Sequence, residues 1–101
     1  MLLQNYWECK MSDTISVELE IQNKKGLHAR AAAAFVKTIE DMDVSVTVER
    51  IGQTVSGNSI MGLMMLAASK GTTIKVNATG KEAKAAIEKL QELVNSKFGE
   101  D

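Results

Sequence analysis

Apolar and polar residues alternate in three separate segments of the chain, and this alternation predicts β-strands. Residues at every second position point to the same side of a strand, so each of these strands has one apolar and one polar face. A turn is predicted at 50–53, leading into a weaker strand through Val55. The alternating apolar residues are Ile15, Val17, Leu19 and Ile21, then Val44, Val46 and Val48, then Ile74 and Val76 within a strand from Thr72 to Ala78.

Other segments carry apolar residues at the spacing of an amphipathic helix. The first follows a loop at 23–27, and the second is a short helix that Ser59 caps and that runs to about Ser69, with Lys70 and Gly71 as its stop. The third follows residues 79–82, which have the spacing of a capping box. The apolar stripes are Ala32, Phe35, Val36 and Ile39 in the first helix, and Ala83, Ala86, Ile87, Leu90, Leu93 and Val94 in the third.

The predicted element order is therefore βαββαβα. Strands with a single apolar face indicate an antiparallel sheet, and helices with a single apolar stripe can all cover that face. The fold class that follows is α+β, an open-faced sandwich. Residues 1–12 show no clear period and are interpreted as an N-terminal extension, with Met11 as a second candidate start, and residues 13–101 form the domain.

Composition narrows the function classes. A chain of 101 residues with 45% hydrophobic content suits one domain with a two-layer core. A net charge of −1 and 4% aromatic residues argue against binding to nucleic acid. The apolar run at 63–68 is too short for membrane insertion, residues 1–10 do not resemble a signal peptide, and the single cysteine, Cys9, fits a reducing compartment. We expect a soluble, cytoplasmic monomer.

The only histidine, His28, lies where a glycine-containing loop leads into the first helix. A helix start favours anions, and a neutral imidazole offers a nucleophilic nitrogen near neutral pH. His28 is therefore a candidate phosphoryl acceptor, with the amides of Ala29 and Arg30 binding the phosphate and the Lys24-Lys25 pair adding positive charge. The alternative is that the His28 ring only caps the helix and that Arg30 is an ordinary surface charge.

The short second helix is also open to two interpretations. A serine before a helix is most often a structural cap, and methionines at helical spacing are most often core residues. Ile60, Met61 and Met64 nevertheless sit close together and can leave an adaptable apolar surface for a partner. Paired catalytic carboxylates, metal-ligand spacings and glycine-rich phosphate loops are absent from the sequence, so we expect no metal and no cofactor.

Three features together resemble the HPr family, the histidine phosphocarriers of the bacterial phosphotransferase system. They are the βαββαβα order and the segments Gly26-Leu27-His28-Ala29-Arg30 and Ser59-Ile60-Met61-Gly62. The resemblance implies a four-stranded sheet of order 1-4-2-3 with three helices on one face. It implies that enzyme I phosphorylates His28 on Nδ1 and that the group passes to a histidine of a IIA component. It also implies that Ser59 is a regulatory site for an HPr kinase/phosphorylase and that Ile60, Met61 and Met64 form the partner surface.

The chain departs from the family at Ala31, where most members have proline after the arginine. Its Ala-Arg-Ala segment, second helix and C-terminal end resemble nitrogen-type or alphaproteobacterial members. We expect a stoichiometric carrier rather than a turnover enzyme, since the chain has one nucleophile and no predicted substrate pocket. Alternatives are a regulatory protein that signals through Ser59 phosphorylation, a nitrogen-type phosphorelay without sugar transport, and a small nucleic-acid-binding domain.

Overall fold

The computed structural model describes residues 14–99 of the chain. The predicted N-terminal extension and Cys9 lie outside these residues. The described part has the predicted βαββαβα order and ends in a 3₁₀ turn, Lys97–Gly99. Its elements are β1 (Thr14–Glu20), α1 (Ala29–Ile39), β2 (Ser45–Arg50), β3 (Gln53–Ser56), α2 (Ile60–Met65), β4 (Thr73–Thr79) and α3 (Ala83–Asn95).

The four strands form one antiparallel sheet in the order β1-β4-β2-β3, as the resemblance implies. Strand β4 is central, and Val76 lies opposite both Val17 of β1 and Val48 of β2. The β2–β3 hairpin closes through Ile51 and Gly52, which both have positive φ angles of 45° and 77°. The turn predicted at 50–53 is therefore confirmed, and β4 is paired with β1 on one side and with β2 on the other.

The core lies between the apolar face of the sheet and the helices. Every helix contributes side chains that are fully or almost fully buried, and the predicted stripes of α1 and α3 face this core. The opposite face of the sheet is polar. On this face the side-chain oxygen of Asn77 accepts a hydrogen bond from the Ser16 hydroxyl at 2.6 Å, and its NH₂ group donates to Glu49 Oε2 at 2.8 Å. The largest buried side chains include Phe35, Ile39, Leu63, Leu66, Ile74, Val76, Leu90 and Val94.

Helix α2 is shorter than the sequence predicts. It ends at Met65 with Leu66 as its C-cap, rather than near Ser69. Ala67 has a φ of 52°, which is left-handed backbone and incompatible with continuing the helix. Left-handed residues commonly end helices, but glycine is the usual one, so the alanine gave no signal of the helix end.

The predicted capping box before α3 is wrong. Thr79 is the last residue of β4, and Glu82, the N-cap of α3, makes no side-chain capping bond. Glu82 Oε2 instead accepts the backbone N–H of Asp43 at 2.5 Å. A contact with the loop before β2 has replaced the local bond that the spacing suggested.

Candidate functional site

His28 is the N-cap residue of α1. Its backbone is extended, with φ −86° and ψ −175°, and its carbonyl accepts the N–H of Ala32 at 2.8 Å. The N–H of Arg30 donates to ring Nδ1 at 3.3 Å, so Nδ1 carries a lone pair and the ring proton lies on Nε2. The His28 ring therefore caps α1, which is compatible with both interpretations of this residue. The half-exposed ring is held with its unprotonated nitrogen at the positive end of the helix.

The loop before His28 is held by buried hydrogen bonds. The Asn23 side-chain amide donates to the Gly26 carbonyl at 2.8 Å, and the Gly26 N–H donates to the Asn23 carbonyl at 3.1 Å. The same Gly26 carbonyl accepts the N–H of His28 at 3.0 Å. Gly26 has a φ of 68°, a conformation that glycine adopts without the steric cost borne by other residues. These bonds fix the direction in which the backbone enters α1.

A second loop, which the sequence did not suggest, packs beside His28. The N–H of Leu27 donates to the carbonyl of Ala68 at 2.8 Å. A Cβ at Gly26 would lie only 2.5 Å from that same oxygen, so only glycine allows the two backbones to approach this closely. A shallow depression of about 200 Å³ lies between the loops, lined by Lys25, Leu27, His28, Ala67, Ala68 and Ser69.

The surroundings of the ring favour an anion. Ala29 and Arg30 are exposed in the first turn of α1, and that turn contains no acidic residue. Lys24 and Lys25 are exposed in the preceding loop. The first N–H groups of a helix have no acceptor within the helix, so an oxyanion at the ring can bind to them. The structure thus brings together His28, Ala29, Arg30 and Lys25 at one helix start.

Ser59 caps α2 with its side chain. Its Oγ accepts the N–H of Gly62 at 2.9 Å, and the serine is half-buried. The helix is anchored by Leu63, which is fully buried, while the other large side chains face outward. The exposed fractions are 40% for Ile60, 74% for Met61, 43% for Met64 and 65% for Met65. Met65 is not one of the predicted partner residues.

These four side chains form an exposed apolar surface, here called the α2 surface. Helix α2 packs beside α1, and its last residues lead into the loop that touches Leu27. The predicted partner residues Ile60, Met61 and Met64 therefore belong to the same part of the molecule as His28. Within residues 14–99, no cluster of three potential metal ligands is found, and no helix is long and apolar enough to cross a membrane.

The fold and this histidine-capped helix are those of a small phosphocarrier protein. Residues 15–96 match the family model described as PTS HPr component phosphorylation site, and the chain belongs to the HPr family. It is 44% identical over 84 residues to phosphocarrier protein HPr of Xylella fastidiosa, covering 83% of this chain and 94% of that protein. The chain is thus a phosphotransfer component of the phosphotransferase system.

Solved structures agree with this assignment. The crystal structure of HPr-C-His from Thermoanaerobacter tengcongensis superposes with a TM-score of 0.82 at 44% identity, covering 86% of this chain and 98% of that one. A crystal structure of an HPr dimer from the same organism gives a TM-score of 0.68 at 45% identity, covering 83% of this chain and 97% of that one. Both likenesses extend over nearly the whole described part of the chain.

Ala31 is the third residue of α1, and it is fully buried. Its N–H has no acceptor four residues earlier within the helix, so Ala31→Pro removes no helical hydrogen bond. We expect the variant to match the wild type or to gain about 0.4–1 kcal/mol in unfolding free energy, because proline restricts the unfolded chain. Denaturant unfolding measures the difference.

The matched control for this substitution is Ala33→Pro. Ala33 is exposed and is the fifth residue of α1, so its N–H belongs to the helical hydrogen-bond ladder. Proline there is expected to cost about 3 kcal/mol. Equal losses from the two substitutions would show that the first turn of α1 does not tolerate proline.

Proposed function

We propose that this chain is a stoichiometric phosphoryl carrier in which Nδ1 of His28 takes the phosphoryl group from enzyme I and hands it to a histidine of a IIA component. The observation that carries the proposal is the bond from the Arg30 N–H to Nδ1 at 3.3 Å. It leaves the ring proton on Nε2 and the nucleophilic lone pair at a helix start. The carrier works as a monomer in the cytoplasm and needs no cofactor.

In the transfer step, the Nδ1 lone pair attacks the phosphorus of the donor. A bond from nitrogen to phosphorus forms as the bond from phosphorus to the donor breaks, and the donor leaves with that electron pair. The Arg30 N–H then exchanges its ring acceptor for a phosphoryl oxygen, and the Ala29 N–H offers a second donor. The Arg30 guanidinium and the exposed Lys25 balance the negative charge.

The shape of the site suits a carrier better than a turnover enzyme. The depression beside His28 has a volume of about 200 Å³ and is open to solvent, so it does not enclose a small substrate. The partner must then supply the rest of the reaction site. The α2 surface offers exposed apolar area for docking such a partner beside the histidine.

Incubation with phosphoenolpyruvate and enzyme I tests the proposal. We expect the intact mass to increase by one phosphoryl group, and we expect acid to remove it, because a phosphoramidate bond is acid-labile. Addition of a IIA component is expected to return the carrier to its original mass. A chain that stays unmodified with an active enzyme I would contradict the proposal.

A second candidate function is regulation through phosphorylation of Ser59. The observation that favours it is the position of Ser59 at the start of α2, directly before the exposed Ile60 and Met61. An HPr kinase/phosphorylase is the enzyme that would modify it. Separate substitution of His28 and Ser59, each followed by measurement of partner binding, distinguishes the relay from this signal.

The Ser59→Asp variant is expected to slow phosphoryl transfer from enzyme I without unfolding α2. Aspartate is itself a favoured N-cap, so a thermal melt should show a midpoint equal to or above that of the wild type. The negative charge next to Ile60 and Met61 resists burial against a partner and repels acidic partner groups. Transfer rates at low and high salt measure the effect, and salt should restore part of the rate.

The control is Ser59→Ala, which removes the bond from Gly62 to Oγ and adds no charge. It should lower the unfolding free energy by about 1 kcal/mol and leave the transfer rate nearly unchanged. A Ser59→Asp protein that is phosphorylated at the wild-type rate in low salt would refute the electrostatic explanation. An aspartate variant that is slow only because α2 has unfolded would refute it as well.

A further inference from the structure

Arg50 ties the β2–β3 hairpin to the end of α2. It is the last residue of β2, and its guanidinium Nη1 donates to the carbonyl of Leu66 at 3.0 Å in a half-buried position. Leu66 is the C-cap of α2 and is 1% exposed. The last carbonyls of a helix receive no hydrogen bond from an N–H group of the same helix. A cation at this end also interacts favourably with the negative end of the helix dipole. Arg50 therefore holds the backbone at the point where this short helix stops.

The residues directly after that point form one wall of the His28 site. Ala67 turns the chain with a φ of 52°, and the Ala68 carbonyl then accepts the N–H of Leu27 at 2.8 Å. Ala67 and Ala68 line the depression beside His28. Leu27 precedes His28 directly, so the position of Ala68 sets the position of the backbone that carries the ring.

A six-residue helix does not hold this wall in place by its own stability. Helices of this length are marginal in water and depend on tertiary contacts. The left-handed Ala67 adds strain, because alanine pays a steric cost in that region which glycine does not. The carbonyl that Arg50 binds belongs to the residue directly before Ala67, so this bond anchors the backbone where the chain changes direction.

We propose that Arg50 is a positioning residue for phosphoryl transfer, acting through Leu66 and Ala68 on the backbone of Leu27 and thus on the His28 ring. The proposal rests on His28 being the acceptor. Arg50 is not among the residues that line the depression beside the ring, and its proposed role is to position the backbone rather than to bind the phosphoryl group. It keeps Nδ1 and the start of α1 in the arrangement that the attack needs.

The test compares Arg50→Met with Lys75→Met, at a temperature where all proteins are fully folded. Methionine retains much of the apolar stem of either residue. Lys75 is exposed on β4 and lines the same surface depression as Arg50, so both substitutions remove one positive charge from one region. Only the arginine variant removes the bond to Leu66.

We expect Arg50→Met to lower the rate of transfer at saturating enzyme I by about tenfold, which corresponds to a small loss of alignment. Amide hydrogen exchange at Leu27 should become faster, because its acceptor on Ala68 is no longer held. Lys75→Met should change neither measurement. Arg50→Lys retains a cation and a donor and should recover part of the rate.

Two results would overturn the inference. One is a wild-type transfer rate and wild-type Leu27 exchange in Arg50→Met, and the other is an equal slowing in Arg50→Met and Lys75→Met, which would indicate charge alone. A wild-type protein that gains no phosphoryl group from enzyme I would instead refute the proposal that His28 is the acceptor. That outcome concerns the proposed function and is seen before any variant is made.

Discussion

The His28→Ala variant is expected to remain folded and to accept no phosphoryl group. Loss of an N-cap acceptor costs about 0.5–2 kcal/mol, which is less than the 5–15 kcal/mol that stabilises a typical domain. The chain has no second imidazole to take over the role. Intact mass after incubation with phosphoenolpyruvate and enzyme I measures acceptance, and circular dichroism with a thermal melt checks the fold.

His28→Asn separates the two roles of the ring. Asparagine is among the best N-cap residues, so its side chain can accept the Arg30 N–H as Nδ1 does in the wild type. This variant should therefore be more stable than His28→Ala and equally inactive. A mass increase of one phosphoryl group in either variant would show that another residue accepts the phosphoryl group.

Gly26→Ala is expected to damage both stability and transfer. The new Cβ would lie 2.5 Å from the Ala68 oxygen and 2.9 Å from the Ser69 Cα, which are backbone atoms that cannot move by rotating a side chain. The positive φ of 68° adds a conformational cost. Together we expect a loss of about 2–5 kcal/mol in unfolding free energy, combining about 1–2 from φ with about 1–3 from the collision.

The displaced loop also carries Leu27 and His28, so transfer from enzyme I should slow by at least about tenfold for a misplacement of this kind. Gly71→Ala is the matched control, because its φ of 92° is also left-handed but its Cβ would meet nothing within 4 Å. It should cost only the conformational part, about 1–2 kcal/mol, and leave transfer unchanged. If a denaturant titration gave equal losses of unfolding free energy for Gly26→Ala and Gly71→Ala, the close approach of Gly26 to the Ala68 backbone would not be important for stability.

The strands and helices were predictable because their signals are periodic and local. The alternation at 15–21 and the stripes of α1 and α3 each reflect one buried face, which the structure confirms. The errors occurred where a distant contact or an unusual residue decides the backbone. Ala67 ends α2 in a conformation normally left to glycine, and the carboxylate of Glu82 binds Asp43 rather than its own helix.

The sequence predicts those residues of the site whose side chains have a reactive or hydrogen-bonding group, and it does not predict those that contribute only backbone atoms. His28 and Ser59 stand out because each precedes a helix and has a side chain that can accept a hydrogen bond there. The carbonyl of Ala68 has no such signature, since every residue type offers the same oxygen. Arg50 is an ordinary charged residue in the sequence, and its role depends on a contact with Leu66 that only the fold creates.

The ring cap of His28 links folding to phosphorylation in a closed thermodynamic cycle. Nδ1 accepts the Arg30 N–H in the unmodified protein. In the proposed relay, Nδ1 cannot keep this bond and also bind phosphorus, so the helix exchanges one acceptor for another in each cycle. The difference in unfolding free energy between the two forms equals the difference in group-transfer potential between folded and unfolded phosphohistidine. Each 1.4 kcal/mol by which the helix prefers the phosphoryl oxygens would shift the equilibrium with donor and acceptor by about tenfold. The same preference would make transfer from enzyme I more favourable and transfer to the IIA component less favourable by that factor, so the relay depends on a balance between the two caps.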